Sequence, residues 1–206
     1  PREYGIFNIS APEKYELARP YLWRFWNKLL EQETISIFDR SWYGRVLVER
    51  VEGFASDVQW KRAYDEINRF EKDLSDTQTV VVKFWLAISK EEQEARFKAR
   101  ELTPHKRFKI TAEDWRNRGR WDDYLTSAAD MLERTHTDHA PWYVIATNDK
   151  YSARIQILKA LHREVKEVSN LIAEMTTPYK ALQQATKWLD QQEACQLLNI
   201  SKRTLQ

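Results

Sequence analysis

The run TVVVKFWLAI at residues 79–88 constrains the fold more than any other stretch, because it is almost continuously apolar. A strand with one wet face alternates apolar and polar residues. A near-unbroken run of this length therefore reads as a strand covered on both faces, as in a parallel sheet between helices. Three further runs, at residues 4–9, 34–38 and 142–147, are β-branched or aromatic-rich and lead into polar, turn-forming residues, which predicts strands. Helical patterns lie between them. Residues 14–30 place Leu17, Tyr21, Leu22, Phe25, Trp26 and Leu29 three and four apart, and residues 58–74 carry Trp60, Ala63, Tyr64, Ile67, Phe70 and Leu74 on one stripe. Residues 89–100 open on Ser89 with Glu92 three positions later, the pattern of a capping box. Helices are also predicted over 111–117, 121–135 and 150–172. Strands alternating with helices predict an α/β fold with a parallel sheet.

The composition narrows the function classes. With 42% apolar and 31% charged residues, the 206-residue chain can bury a core, which excludes disorder along its whole length. Four glycines and six prolines argue against a turn-rich all-β fold. The single cysteine, Cys195, cannot form an intramolecular disulfide, and nothing else points to an oxidising compartment. No run approaches the ~18 apolar residues of a membrane span, and the start PREYGIFNIS has no signal-peptide shape. The expectation is a cytoplasmic protein with no membrane partner whose sequence starts partway through a longer chain. A net charge of +2 predicts no polyanion partner by itself, so any basic patch has to be local.

Charge is indeed concentrated. The stretch ISIFDRSWYGRVLVERVEGF, residues 35–54, ends a strand on Asp39, at the sheet edge where open α/β folds bind ligands. Arg40, Arg45, Glu49 and Arg50 follow. A carboxylate able to hold Mg²⁺ beside guanidiniums able to hold phosphate oxygens suits a charge-rich phosphoryl-transfer transition state. Taken alone, FDR fits equally well a strand-end Asp capping the next helix. A second concentration lies between Arg96 and Arg120, where nine Lys or Arg face three acids. Such a segment suits a linear polyanion; a solvated basic loop is the plainer account, and its place after a sheet strand, bracketed by Trp115 and Trp121, favours binding. Residues 101–120 lack the apolar period of a core helix and read as a mobile excursion over a site. His105, His136, His139 and His162 have no metal-ligand spacing with Cys195.

The run FDRSWYGRVLVERVEGF resembles the polyphosphate kinase 2 family, especially members that phosphorylate nucleoside monophosphates. The resemblance continues through WKRAYDEINRFEKDL, VVKFWLAISKEEQEARFKAR, KRFKITAEDWRNRGRWDDY and DMLERTHTDHAPWYVIATNDKYSARI, covering about residues 2–161. It implies an α/β, P-loop kinase-like (thymidylate kinase-like) fold: a three-layer parallel sheet with a helical lid over a polyphosphate channel. It also implies Mg²⁺ and transfer of phosphate between inorganic polyphosphate and a nucleoside mono- or diphosphate, AMP to ADP being favoured. Asp39 matches the family's Walker B aspartate and metal site, and Arg40 and Arg45 match the catalytic arginines beside it. Arg50, Arg96, Arg100, Lys106, Arg107, Lys109, Arg116 and Arg118 match phosphate- and polyphosphate-binding positions; Glu49, Asn148, Lys150 and Arg154 match positions near the nucleotide. The implied organisation is a core over 1–165 with a lid at about 89–135, a linker helix over 166–187 and a tail over 188–206.

One departure stands out. The family's glycine-rich loop ending in Gly-Lys is expected before Pro1, and no G-x-x-x-x-G-K-[ST] occurs in the 206 residues. Without the loop and the central first strand ahead of it, the strands at 34–38 and 79–88 are expected to lack a shared neighbour. They then pair directly, accept another chain, or remodel the sheet, and an exposed sheet points to a homo-oligomer. The same absence predicts little transferase activity for these residues alone. The tail, QEACQLLNISKRTLQ, resembles the start of a helix-turn-helix domain, with an amphipathic helix packed on the core as the alternative. Two other functions stay open: a non-catalytic polyanion-binding or assembly module, and a DNA-binding protein acting through a tail that belongs to a larger domain.

Overall fold

A computed structural model describes residues 4–31 and 34–185. The expected tail over 188–206, with Cys195, lies outside the described residues. In chain order the elements are β1 (Tyr4–Asn8), α1 (Lys14–Leu17), α2 (Trp23–Trp26), β2 (Ile35–Asp39), a 3₁₀ turn (Trp42–Val46), α3 (Val48–Val51), α4 (Asp57–Asp76) and β3 (Lys83–Ala87). They continue with α5 (Lys90–Leu102), a second 3₁₀ turn (Pro104–Lys109), α6 (Ala112–Gly119), α7 (Trp121–Thr135), β4 (Trp142–Ala146) and α8 (Lys150–Ala185). The chain divides into a unit ending at Ile157 and a second beginning at Leu158. No helix among the described residues is long and apolar enough to cross a membrane.

The strands fall within the apolar runs, although β3 takes only Lys83–Ala87 of the run at 79–88 and leaves Leu86 exposed, and both pairings are parallel. β1 pairs with β2 from Tyr4↔Ile35 to Asn8↔Asp39, and β3 pairs with β4 from Lys83↔Trp142 to Ala87↔Ala146. No ladder joins β2 to β3 among the described residues, so the expected three-layer sheet shows as two parallel pairs, without direct pairing of those strands. Aromatic side chains bridge them instead. Phe38 of β2 meets Trp42 at 5.5 Å, Trp42 meets Phe70 of α4 at 4.9 Å, and Tyr43 meets Trp142 of β4 at 4.6 Å between ring centroids. These edge-on contacts suit the ring quadrupoles and form the centre of the core.

The helices show where tertiary structure overrode pattern. The period over residues 14–30 predicts one helix, but two short ones form, because Pro20 lacks an amide hydrogen and its ring clashes with the carbonyl four residues back. Phe25 is buried while Leu17 is 69% exposed, so the apparent stripe does not share one face. α4 opens on a full capping box of Ser56 and Gln59, which the sequence reading did not single out, and buries Ala63, Tyr64, Ile67, Phe70 and Leu74. α7 keeps the predicted bounds, whereas α8 runs past residue 172 to Ala185. The polar excursion at 101–120 is itself largely helical, and Trp115 of α6 packs edge-on against Phe97 of α5 at 5.3 Å.

One residue on the buried stripe of α4 is charged. Glu71 is fully buried and pairs with Lys83 of β3 at 2.7 Å. The Lys83 ammonium also donates to the Tyr43 hydroxyl (2.9 Å) and the Thr135 carbonyl (2.7 Å) at the end of α7. Glu71 Oε1 accepts from the Tyr43 hydroxyl (2.6 Å) and Trp42 Nε1 (3.0 Å). Burial pulls the Lys83 pKa down against the upward pull of Glu71. Lys83→Met leaves the Glu71 carboxyl in the core without its cation, and chemical denaturation should report a loss of about 3–5 kcal/mol.

Candidate functional site

Two groups of polar residues stand at strand ends. At the end of β2, Asp39 and Arg40 are exposed, and among the described residues neither side chain has a hydrogen bond or ion pair. Arg40 has φ +62°, a left-handed conformation that costs a non-glycine residue on the order of 1–3 kcal/mol and tends to persist at functional turns. The chain leaves β2 through this residue and enters the 3₁₀ turn carrying Arg45.

The neighbouring residues of the same motif are tied down. Arg45 pairs with Glu49 at 2.8 Å and lies over the Tyr21 ring at 4.4 Å. Arg50 reaches Asp130 of α7 (2.7 Å) and the Tyr64 hydroxyl of α4 (3.0 Å) and stacks on Trp60 at 4.2 Å. Arg50 thus fastens α3 to α4 and α7.

The bases of the segment expected to form the lid separate into two sets. Arg118 is 14% exposed, pairs with Glu94 at 2.6 Å and donates to the Lys90 carbonyl and Gln93 Oε1. Arg116 pairs with Glu52 (3.3 Å) and Glu113 (3.1 Å). Arg107 donates to the Glu101 carbonyl at 2.7 Å. Arg96 pairs with Glu92 at 2.8 Å and donates to the carbonyls of Thr147 (2.7 Å) and Asn148 (2.8 Å). By contrast Arg100, Lys106, Lys109 and Lys150 have no carboxylate partner among the described residues, and together with Arg96, Ala99 and Thr103 they line one cleft of about 330 Å³. Lys150 sits in the first turn of α8, the end at which the helix dipole disfavours a cation. The Asp149 carboxylate accepts the Ser152 amide there at 2.6 Å.

The structure therefore brings Lys150, expected near the nucleotide, into one cleft with four of the expected polyphosphate-binding bases, Arg96, Arg100, Lys106 and Lys109. The other residues expected near the nucleotide do not join it. Glu49 is held by Arg45, Asn148 hydrogen-bonds Ser89, and Arg154 is exposed beside the Tyr151 ring. No hydrogen bond or ion pair links Asp39 to the cleft residues among the described residues. No group of three or more His, Cys, Asp or Glu converges as a metal centre there either.

Glu52 is a residue that the sequence did not single out. It gathers Arg116 (3.3 Å), Arg120 (3.7 Å) and the Tyr124 hydroxyl (3.2 Å), joining the end of α3 to α6 and α7. Its place inside the charge-rich run was the available signal.

The structure is thus an α/β protein with a strand-end carboxylate, an arginine in a left-handed turn and a cation-lined cleft. The sequence profile described as Polyphosphate kinase 2 matches residues 1–171. The chain belongs to that family. It is 70% identical over 166 residues to the polyphosphate:AMP phosphotransferase of Acinetobacter johnsonii, across 81% of this chain and 35% of that protein. It is 54% identical over 166 residues to the polyphosphate:AMP phosphotransferase of Pseudomonas aeruginosa, across 81% of this chain and 34% of that one. A solved structure from Pseudomonas aeruginosa PA01, assigned to polyphosphate kinase 2, superposes with a TM-score of 0.80 at 52% identity, covering 82% of this chain and 37% of that chain. The chain thus spans about a third of the length of these two curated relatives.

The Tyr124 pKa is pushed up from its ordinary value of 10 to about 12, first by burial and then by the Glu52 carboxylate. A raised phenol stabilises the fold below pH 10 and loses that contribution as pH climbs toward 12. Glu52→Gln should bring the Tyr124 midpoint down and narrow that window, as read by NMR of ring-labelled tyrosine.

Proposed function

We propose that this chain carries the polyphosphate-gripping part of a phosphotransferase that moves phosphate between inorganic polyphosphate and a nucleotide, with AMP as the favoured acceptor. The observation that supports it is the cleft of Arg100, Lys106, Lys109 and Lys150, whose charges no carboxylate offsets among the described residues. A linear polyanion presents regularly spaced charges, and cations already paired within the protein would have to break those pairs to meet it. The unpaired set is ready without that cost.

Arg40 and Arg154, which lack carboxylate partners among the described residues, are assigned to nucleotide phosphates. Asp39 fits the role of a single protein ligand for Mg²⁺, an ion that usually keeps waters and substrate phosphates as its other ligands. Bound there, the ion would supply charge neutralisation of phosphate oxygens. Arg45, Arg50, Arg116 and Arg118 act through position, holding the 3₁₀ turn, α3 and the lid helices in register. The outer face of the β1–β2 sheet carries Tyr4, Ile6, Ile35 and Ile37, all exposed, which supports self-association.

No Gly-Lys phosphate loop occurs within the 206 residues, which favours a second reading of these residues alone: binding of polyphosphate without efficient transfer. Mixing this chain with AMP, polyphosphate and Mg²⁺ should then yield ADP at least about 10²–10³-fold more slowly than a full-length relative does; a comparable rate would refute it. For the binding reading, filter retention of polyphosphate across a salt series is the test. Arg100→Gln or Lys106→Gln should each weaken retention and reduce the slope of log affinity against log salt by about 0.7–0.9. Unchanged affinity and slope in both would remove the cleft from the function.

A further inference from the structure

Arg96 differs from the other bases of the cleft because its guanidinium is already spent on the protein. Nε meets the Glu92 carboxylate at 2.8 Å, and Nη2 donates to the carbonyls of Thr147 and Asn148 at 2.7 and 2.8 Å. Those two residues open the three-residue connection from β4 to α8, and Lys150 follows after Asp149. The same connection is fastened again at its other side. The Thr147 amide and hydroxyl both donate to the Ala87 carbonyl at 2.7 and 2.8 Å. The Asn148 side chain accepts the Ser89 amide at 3.0 Å and donates to Ser89 Oγ at 3.3 Å. The amide of Ser89 is the one a full capping box would have given to Glu92, and Glu92 instead turns to Arg96.

The cleft has two walls. α5 supplies Arg100, four residues beyond Arg96 on the same helix face, and the following 3₁₀ turn supplies Lys106 and Lys109. The start of α8 supplies Lys150. These cations repel one another, and no carboxylate is among the described residues that line the cleft. We propose that Arg96 is a positioning residue: with Asn148 it pins the β4–α8 connection to α5 and so sets Lys150 at the width a phosphate chain needs. This rests on the polyphosphate-binding reading given above, and it changes the role that the family resemblance implies for Arg96 from gripping phosphate to spacing the walls. A planar guanidinium meets a carboxylate and two carbonyls through separate nitrogens, whereas a lysine ammonium is a single compact charge.

Two substitutions separate spacing from charge. Arg96→Lys keeps the charge and loses the fork, while Asn148→Ala removes the second pin and no charge at all. Each is expected to lower the affinity of the 206-residue chain for long-chain inorganic polyphosphate about tenfold. Each effect should vanish when combined with Lys150→Gln, because a wall without its cation gains nothing from correct spacing. A purely structural defect would weaken binding equally in both backgrounds. Wild-type affinity in Arg96→Lys and Asn148→Ala, or penalties that multiply with that of Lys150→Gln, would overturn the inference. If Lys150→Gln and Arg100→Gln themselves bind as wild type, the underlying cleft reading falls instead, and this inference with it.

Discussion

The buried pair of Glu71 and Lys83 is the constraint on which the arrangement depends. Removing two charges from water costs several kcal/mol per ion, and such a pair is tolerable only when its remaining hydrogen-bonding capacity is met. Here it is met by Tyr43, Trp42 and the Thr135 carbonyl. Lys83 also places a cation at the carboxyl end of α7, where the helix dipole welcomes it. The 3₁₀ turn after Asp39, α4, β3 and α7 therefore converge on one polar knot, and β4 joins it through Trp142, whose Nε1 donates to Thr135 Oγ1 at 2.9 Å. The Asp39 motif and the strand leading into the lid are fixed by the same interaction, although no ladder joins β2 to β3 among the described residues.

The lid extends this logic from geometry to charge. Its local excess of bases looks uniform in the sequence, but the fold supplies carboxylates to some and withholds them from others. Glu94 takes Arg118, and Glu52 takes Arg116 and Arg120. Arg100, Lys106 and Lys109, with no carboxylate partner among the described residues, line one cleft with Lys150 of α8. Under the proposed polyphosphate-binding function, sorting of this kind would act in two ways: paired bases hold the scaffold in shape, and unpaired ones are available to a ligand without first breaking an internal pair. Ion pairs that bridge distant elements, such as Glu52 with Arg116, cannot be read from spacing, whereas i,i+4 pairs such as Arg45 with Glu49 can.

Much of the fold was legible. Each strand was marked by a β-branched or aromatic run, and α4 and α7 by periodicity with clear ends. The helix expected over 14–30 was misread because periodicity reports side-chain spacing and ignores the missing amide of Pro20. The capping box at Ser89 was half right: Ser89 accepts the Glu92 amide at 3.2 Å, but a distant asparagine takes the return bond. Of the candidate site, Asp39 and Arg40 were legible from their strand-end position, and the basic lid from its composition.

By itself, then, the sequence determined the alternation of strands and helices, the family, and the two segments where charge accumulates. These are properties of neighbouring residues, carried by local propensity and spacing. Which bases remain unpaired, that Lys150 joins the lid cations, and that Glu71 and Lys83 meet in the core were decided only by tertiary structure. Each depends on residues far apart in the chain, whose approach is set by packing and by the demand that buried polar groups find partners.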